Sequence, residues 1–392
     1  MQQTNTQNHS QVAMQGDAAW RERESHRKRR EWFWQVVVVV AIVALFYVFA
    51  QNIFANLQAR DIRSGFDFLN DRASFEIGES LIAVSSNDNF GRMFLAGMLN
   101  TVRVACVSII TATILGVVIG LMRLSQHPLI RLLGTAHRNV PLLIQLFAIY
   151  LVITEFLPDS FSPMQFGSWA LLSKAGLQFA VPNALWIANL GATLVGLIVV
   201  WLSRRWMIAR LTTLMATVNA ILIGIGAGLL FWFATGVASG WSLPHQEGFL
   251  IIGGAQATAE FITLWLGLTM FTSASIAEIV RAGILAVPEG QWKAAEALGM
   301  TRMQSVSYVI LPQSLRLVVP PMASQYMNLT KNSSLAVIIG YPDIVSVGNT
   351  SIVIMGQALE AIMIIMLVYL MLNLIIALVM GRVNASVVAA PR

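Results

Sequence analysis

Charge is what this chain has least of: Asp, Glu, Lys and Arg make up 11% of 392 residues, against 56% hydrophobic. Soluble domains carry about 25% charged residues, so ordinary soluble domains are excluded. Disorder, which needs low hydrophobicity, is excluded with them. A single cysteine, Cys106, allows neither a disulfide framework nor a thiolate zinc site. The five histidines form no HExxH and no paired ligand set, so no metal site is expected. No GxSxG elbow is present. None of the four lysines follows a glycine, as a phosphate loop requires, so the chain is not expected to hydrolyse nucleotide. What remains is an integral membrane protein in which no catalytic constellation is visible.

A bilayer core takes about 20 apolar residues per helix. Uncharged runs lie between Glu31 and Arg60, from Val104 to Met122, Asn139 to Thr154, Ala175 to Ser203, Leu211 to Gln246 and Phe261 to Ala277. A broken stretch follows at 315–339, and then Ala361 to Gly381. The fold class expected is therefore an all-α integral membrane protein with about eight transmembrane helices, the third short and the seventh polar. With both termini cytosolic, 18 of the 25 lysines and arginines fall in inside segments and five outside, while Arg103 and Lys331 lie within spans. Positive charge concentrates on cytosolic loops, so this orientation is expected. The basic balance thus reads as topology rather than nucleic-acid binding. The block RERESHRKRR in the cytosolic tail 1–33 reads as an anchor beside the bilayer. The first helix and an outside segment make up 34–91. That segment holds six acids between Asn52 and Gly91 (Asp61, Asp67, Asp71, Glu76, Glu79 and Asp88) and reads as a solvated loop able to seat a partner.

The inside loop 287–320 is the most informative stretch. Pro288 suits a helix start, with Glu289 favourably placed for the helix dipole. Gly299 is a natural left-handed stop. Thr301 and Gln304 have capping-box spacing, which predicts a second helix ending before Pro312. Ala294, Ala295, Ala297 and Gly299 leave room for another protein's surface, though a plain linking hairpin has the same composition.

The segment resembles the EAA loop of ABC importer permeases, E-A-A, three residues, G, nine residues, I-x-L-P. Ala294, Ala295, Gly299, Leu311 and Pro312 match at the correct spacing; Lys293 stands for the glutamate and Val309 for the isoleucine. Glu296, one turn on from Lys293, is a candidate for the missing carboxylate. SIAEIVRAGILAVPEGQWKAA and HRNVPLLIQLF are similar to polar amino-acid uptake permeases. NLTKNSSLAVIIGYPDIVSVGNT resembles the general L-amino-acid branch, which also covers glutamate, glutamine, aspartate and asparagine.

The resemblance implies a permease transmembrane domain over 92–385, with a five-helix type I importer core in spans two, three, six, seven and eight. A helix pair is inserted at about 160–258. It also implies a place in the bacterial inner membrane, a dimer of separate ATP-binding subunits engaging the loop, a second permease subunit and a periplasmic amino-acid receptor. No cofactor is expected on this chain; ATP and magnesium belong to the partner. The rivals are a secondary carrier driven by an ion gradient and, further off, a membrane enzyme.

Within the spans, Gln325, Asn328 and Lys331 recur every three residues, with Asn332, Ser333 and Ser334 beyond. Such polarity at membrane depth suits a water-lined path, in which Lys331 or Arg103 pairs with a substrate carboxylate; helix–helix hydrogen bonding is the competing reading. Glu278 and Arg281, three residues apart, form a candidate ion pair. Ala112, Gly116 and Gly120 make a small-residue packing face, and Gly224 and Gly228 repeat it in the fifth span. Pro320 and Pro321 are expected to bend the seventh.

Overall fold

The computed structural model describes residues 29–53, 55–56, 59, 64–124, 140–208, 213–248 and 250–388. Most of the basic tail, Arg60, Arg63, Arg131, Arg138, Arg210 and Arg392 lie outside them. The chain divides into two units, Met1–Phe66 and Asp67–Arg392. The first holds α1, Arg29–Ile53, 25 residues containing an 18-residue window of mean hydropathy 2.5. At 1.5 Å per residue it reaches about 38 Å, enough to cross a bilayer.

The second unit is built around α2 (Phe90–Met122) and α6 (Ala259–Leu285). Asn89 caps α2 by accepting from the Arg92 amide at 2.9 Å, and Thr258 caps α6 by accepting from Phe261 at 3.1 Å. The two helices run parallel, Arg103 level with Phe261 and Gly120 level with Val280. Small residues set how closely they approach: a Cβ on Gly116 would stand 2.7 Å from Ile276, and one on Gly120 2.9 Å from the Ala277 carbonyl. The expected packing face of α2 is thus real.

Around this pair stand α3 (Leu142–Leu151, continued by a π-wound turn Val152–Phe156), α8 (Leu311–Asn332), α9 (Ile344–Met355) and α10 (Ala358–Val388). Leu264, Leu268, Ile276, Leu146 and Leu329 fill the core between them. A second apolar cluster joins Phe68, Phe90 and Phe94 to Ile344 and Val347. Six described helices are long and apolar enough to span, and the bent pair made by α8 and α9 is a seventh. The expected third span is the short apolar helix Leu142–Phe156.

Three local expectations are corrected. First, the helical picture lacks a small antiparallel sheet, ordered β1 (Met164–Phe166), β2 (Ala170–Ser173), β3 (Gly176–Phe179) and then β8 (Ala255–Thr258). The uncharged run from Ala175 therefore opens as strand, and the fourth span, α4, begins only at Leu185 and runs to Met207. Second, the helix after the capping box does not end before Pro312. It continues through π winding over Ser305–Ile310 into α8. The wider winding absorbs the missing proline amide, and the Gln313 side chain donates to the Val309 carbonyl at 2.9 Å. Third, the seventh span bends beyond its prolines. Pro320 and Pro321 sit inside continuous helix, and the 51° break falls between Ile339 and Ile344, where Gly340 turns left-handed and Asp343 caps α9.

The inserted pair, α4 and α5 (Thr213–Ser239), closes on itself through small residues: a Cβ on Gly224 would lie 2.7 Å from the Gly196 carbonyl, and one on Gly228 2.9 Å from that of Ala192. The neighbour of the Gly224/Gly228 face is therefore the fourth span. Two short strand pairs, β4 (Val181–Pro182) with β5 (Trp241–Ser242) and β6 (His245–Glu247) with β7 (Leu250–Ile252), precede α4 or follow α5 in the chain.

Candidate functional site

The surface hairpin begins with α7, Glu289–Ala297. Its end is a Schellman closure: Met300 N–H reaches the Ala295 carbonyl at 3.2 Å, Gly299 N–H reaches Glu296 at 2.9 Å, and Gly299 takes φ +73°. The capping box then forms as the spacing predicted, Thr301 N–H donating to Gln304 Oε1 at 2.8 Å and Gln304 N–H to Thr301 Oγ1 at 3.3 Å. Ala295 is buried against the π-wound stretch, and Gln313 Nε2 bridges back to Gln291 Oε1 at 3.1 Å. Of the two adjacent alanines, then, Ala295 closes the hairpin while Ala294 faces out. Lys293 pairs with Glu289 at 3.1 Å, and Glu296 and Gly299 are exposed beside Ala294. Leu311 and Pro312 are half-buried at the hairpin's return. Leu298 and Met303 stand 80% and 74% exposed, an apolar rim around a floor of small residues.

The polar face of α8 is graded. Gln325 is half-buried, Asn328 and Lys331 are exposed, and Ser334 is half-buried. Ser333 leaves this face: it is fully buried, and its hydroxyl donates to the Thr330 carbonyl at 2.7 Å. Helix-to-helix hydrogen bonding is carried by other residues. Thr111 meets Thr269 at 2.7 Å and accepts from the Trp265 indole at 3.1 Å, while Thr113 meets the Tyr326 hydroxyl at 2.9 Å.

Glu278 and Arg281 form the expected pair at 3.4 Å, but the shorter contact of Glu278 is to Arg123, at 2.9 Å, whose side chain is nearly buried. This cluster closes the same end of the bundle as the hairpin.

Arg103, read as available to a substrate, already has a carboxylate. It pairs with Glu79, and its guanidinium lies 4.0 Å from the Phe261 ring centroid. The other Glu79 oxygen accepts from Thr258 Oγ1 at 2.5 Å. Asn100 Nδ2 donates to the Glu79 carbonyl at 2.7 Å and to the Pro342 carbonyl at 2.9 Å. The stretch 67–91 is therefore fastened into the bundle, contrary to the solvated-loop reading. One signal in the sequence marks it: Phe68, Ala73 and Phe75 alternate with the acids, and the first two are buried.

Long apolar helices, one broken polar span and an exposed hairpin define a membrane transport subunit rather than an enzyme. Residues 190–389 match the family described as binding-protein-dependent transport system inner membrane component, and the chain belongs to that family. It is thus a multi-pass inner-membrane permease subunit of an ABC importer with a type I core, served by a separate ATPase and a binding protein; a carrier working alone is not supported. The general L-amino acid transport system permease protein AapQ of Rhizobium johnstonii is 38% identical over 86% of this chain and 87% of its own. The putative amino-acid ABC transporter permease protein YhdX of Escherichia coli is 40% identical over 93% and 95%. The glutamate/glutamine/aspartate/asparagine transport system permease protein BztB of Rhodobacter capsulatus is 33% identical over 90% and 92%.

Proposed function

We propose that the chain carries L-amino acids across the inner membrane, working with two ATPase copies, a second permease subunit and a periplasmic amino-acid receptor. The observation that carries the substrate class is the near full-length likeness to permeases named for L-amino acids. Both termini are cytosolic on this reading. The excess of basic residues in the inside segments supports that orientation. It puts the hairpin and the Arg123–Glu278–Arg281 cluster on the ATP side and Glu79 outside.

The hairpin is the coupling element. Ala294, Glu296 and Gly299 meet the ATPase, Leu298 and Met303 fill an apolar cleft on it, and Ala295 with Gln313 keeps the hairpin rigid. Closure of the ATPases on ATP then turns α7 and, through the closed Gly299 turn and the continuous helix from Arg302, α8. The polar face of α8, with half-buried Gln325 and exposed Asn328 and Lys331, borders the path. An exposed polar stripe on a spanning helix is stable only beside water, which supports this assignment.

The test is the importer reconstituted in proteoliposomes. Ala294→Trp adds bulk to the exposed floor without entering the core. It is expected to abolish co-purification of the ATPase and receptor-stimulated ATP hydrolysis. Unchanged association and hydrolysis would refute the coupling role. Lys331→Met is expected to slow uptake while leaving the complex assembled, and normal uptake would remove Lys331 from the path.

A further inference from the structure

The geometry points to a carboxylate-binding site at the outer end of the permease core, made by Arg103 and Thr258, which Glu79 fills at rest and which the carboxylate of the incoming amino acid takes over. This rests on the importer reading above.

Glu79 is held as a ligand is held. One oxygen meets Arg103 and the other accepts from the Thr258 hydroxyl. The pair is largely shielded, with the side chains 8% and 21% exposed, and the Phe261 ring fixes the guanidinium from one face. The cradle does not need Glu79 for its shape. Thr258 caps α6 through the Phe261 amide, independently of Glu79. The outer segment is also anchored apart from this carboxylate, by Asn100 to the Glu79 carbonyl and by Phe68 packed on Phe90 and Phe94 of α2. The Glu79 side chain can therefore leave while its backbone stays.

Beside the cradle lies a cavity of about 400 Å³ bordered by Glu76, Glu79, Thr258, Glu260, Ser346 and Thr350. Its volume falls within the range of small-molecule sites, roughly 300–1,000 Å³. The two charges of an amino acid have counterparts here: Glu76 and Glu260 for the ammonium, and the Arg103–Thr258 cradle for the carboxylate. Glu260 is steadied by the Tyr150 hydroxyl at 3.4 Å. Stripping a shielded arginine of its partner is costly. Exchanging one carboxylate for another keeps Arg103 paired throughout, so the substrate itself is the group best suited to displace Glu79. Displacement frees the Glu79 side chain from α2 and α6 once substrate has arrived, while Asn100 keeps its backbone in place.

The test uses the complete permease–ATPase complex in nanodiscs, with and without receptor. The probe is an equimolar mixture of L-glutamate, L-glutamine and L-alanine, and ATP hydrolysis is the readout. In Glu79→Ala the half-maximal concentration for stimulation by the free mixture, receptor absent, is expected to fall about tenfold or more below that of the natural chain, because the internal competitor is gone. Propionate, a bare carboxylate, competes with that stimulation, and Glu79→Ala/Arg103→Met abolishes it. Glu79→Gln gives the same direction with the side-chain volume kept, should the alanine variant fail to assemble. Receptor-driven hydrolysis without this gain overturns the proposal. So does a rise in basal hydrolysis that is indifferent to the mixture, which makes Glu79 a clasp alone. Absence of receptor-driven hydrolysis in the natural chain brings down the importer reading itself, and the proposal with it.

Discussion

At Gly299 the backbone passes through φ +73° to close the Schellman turn. A β-branched side chain there meets about 1–2 kcal/mol of strain. Gly299→Val is therefore expected to loosen the hairpin while α2 and α6 keep the bundle. Receptor-stimulated ATP hydrolysis is expected to fall severalfold with membrane yield unchanged, and equal hydrolysis would contradict the turn's role. The neighbouring charges are separable. Lys293 spends its charge on Glu289, an exposed pair of the sort that contributes about 0.3–0.5 kcal/mol. Glu296 has no such partner on α7 and faces out beside the alanines. Glu296→Ala should thus reduce ATPase coupling and Lys293→Glu should not, with hydrolysis rates of the two purified complexes as the check. The reverse order would transfer the carboxylate role away from Glu296.

Among the elements, α2 and α6 depend most on small residues. Gly116→Leu drives side-chain atoms into Ile276, where even a Cβ would stand at 2.7 Å. Overpacking of this kind costs about 1–3 kcal/mol or more, so the thermal midpoint of the detergent-solubilised complex is expected to drop. An unchanged midpoint would mean that the helices have slack. Gly224→Leu opens the α4–α5 pair in the same way. If that pair lies outside the working core, receptor-driven hydrolysis survives the change.

How far these elements were legible depends on the range of the interaction that makes them. The Gly299 stop, the Thr301–Gln304 box and the glycine face of α2 are local in sequence and were readable. The Ala175 strand was not, because absence of charge marks burial from water without choosing strand or helix. Nor was the role of Glu79, since its partners Arg103 and Thr258 lie 24 and 179 residues away. The π winding before Pro312 hid a continuous helix behind a residue that ordinarily ends one.

For the whole molecule, the scarcity of charge now has an anatomy. Arg103 is clasped at one end by Glu79, and Arg123 and Arg281 are gathered at the other by Glu278. Between them the polar face of α8 runs past the hydroxyl contacts that tie α2 to α6 and α8. Among the described residues, the two charge clusters bracket a bundle whose middle is almost free of ions. The helix from Arg302 runs without interruption from the hairpin into α8, so on the proposed reading motion imposed on α7 passes through the Gly299 turn to the residues beside the path. The central claim is that the hairpin is where ATP hydrolysis enters this permease. The most direct measurement is cysteine cross-linking of Ala294→Cys, in a Cys106→Ser background, to cysteines placed across the partner ATPase surface. The account predicts a cross-link confined to one cleft, whose formation stops receptor-stimulated hydrolysis until it is reduced. Hydrolysis that continues undiminished through a complete cross-link, or no cross-link at all in an actively transporting complex, would contradict it.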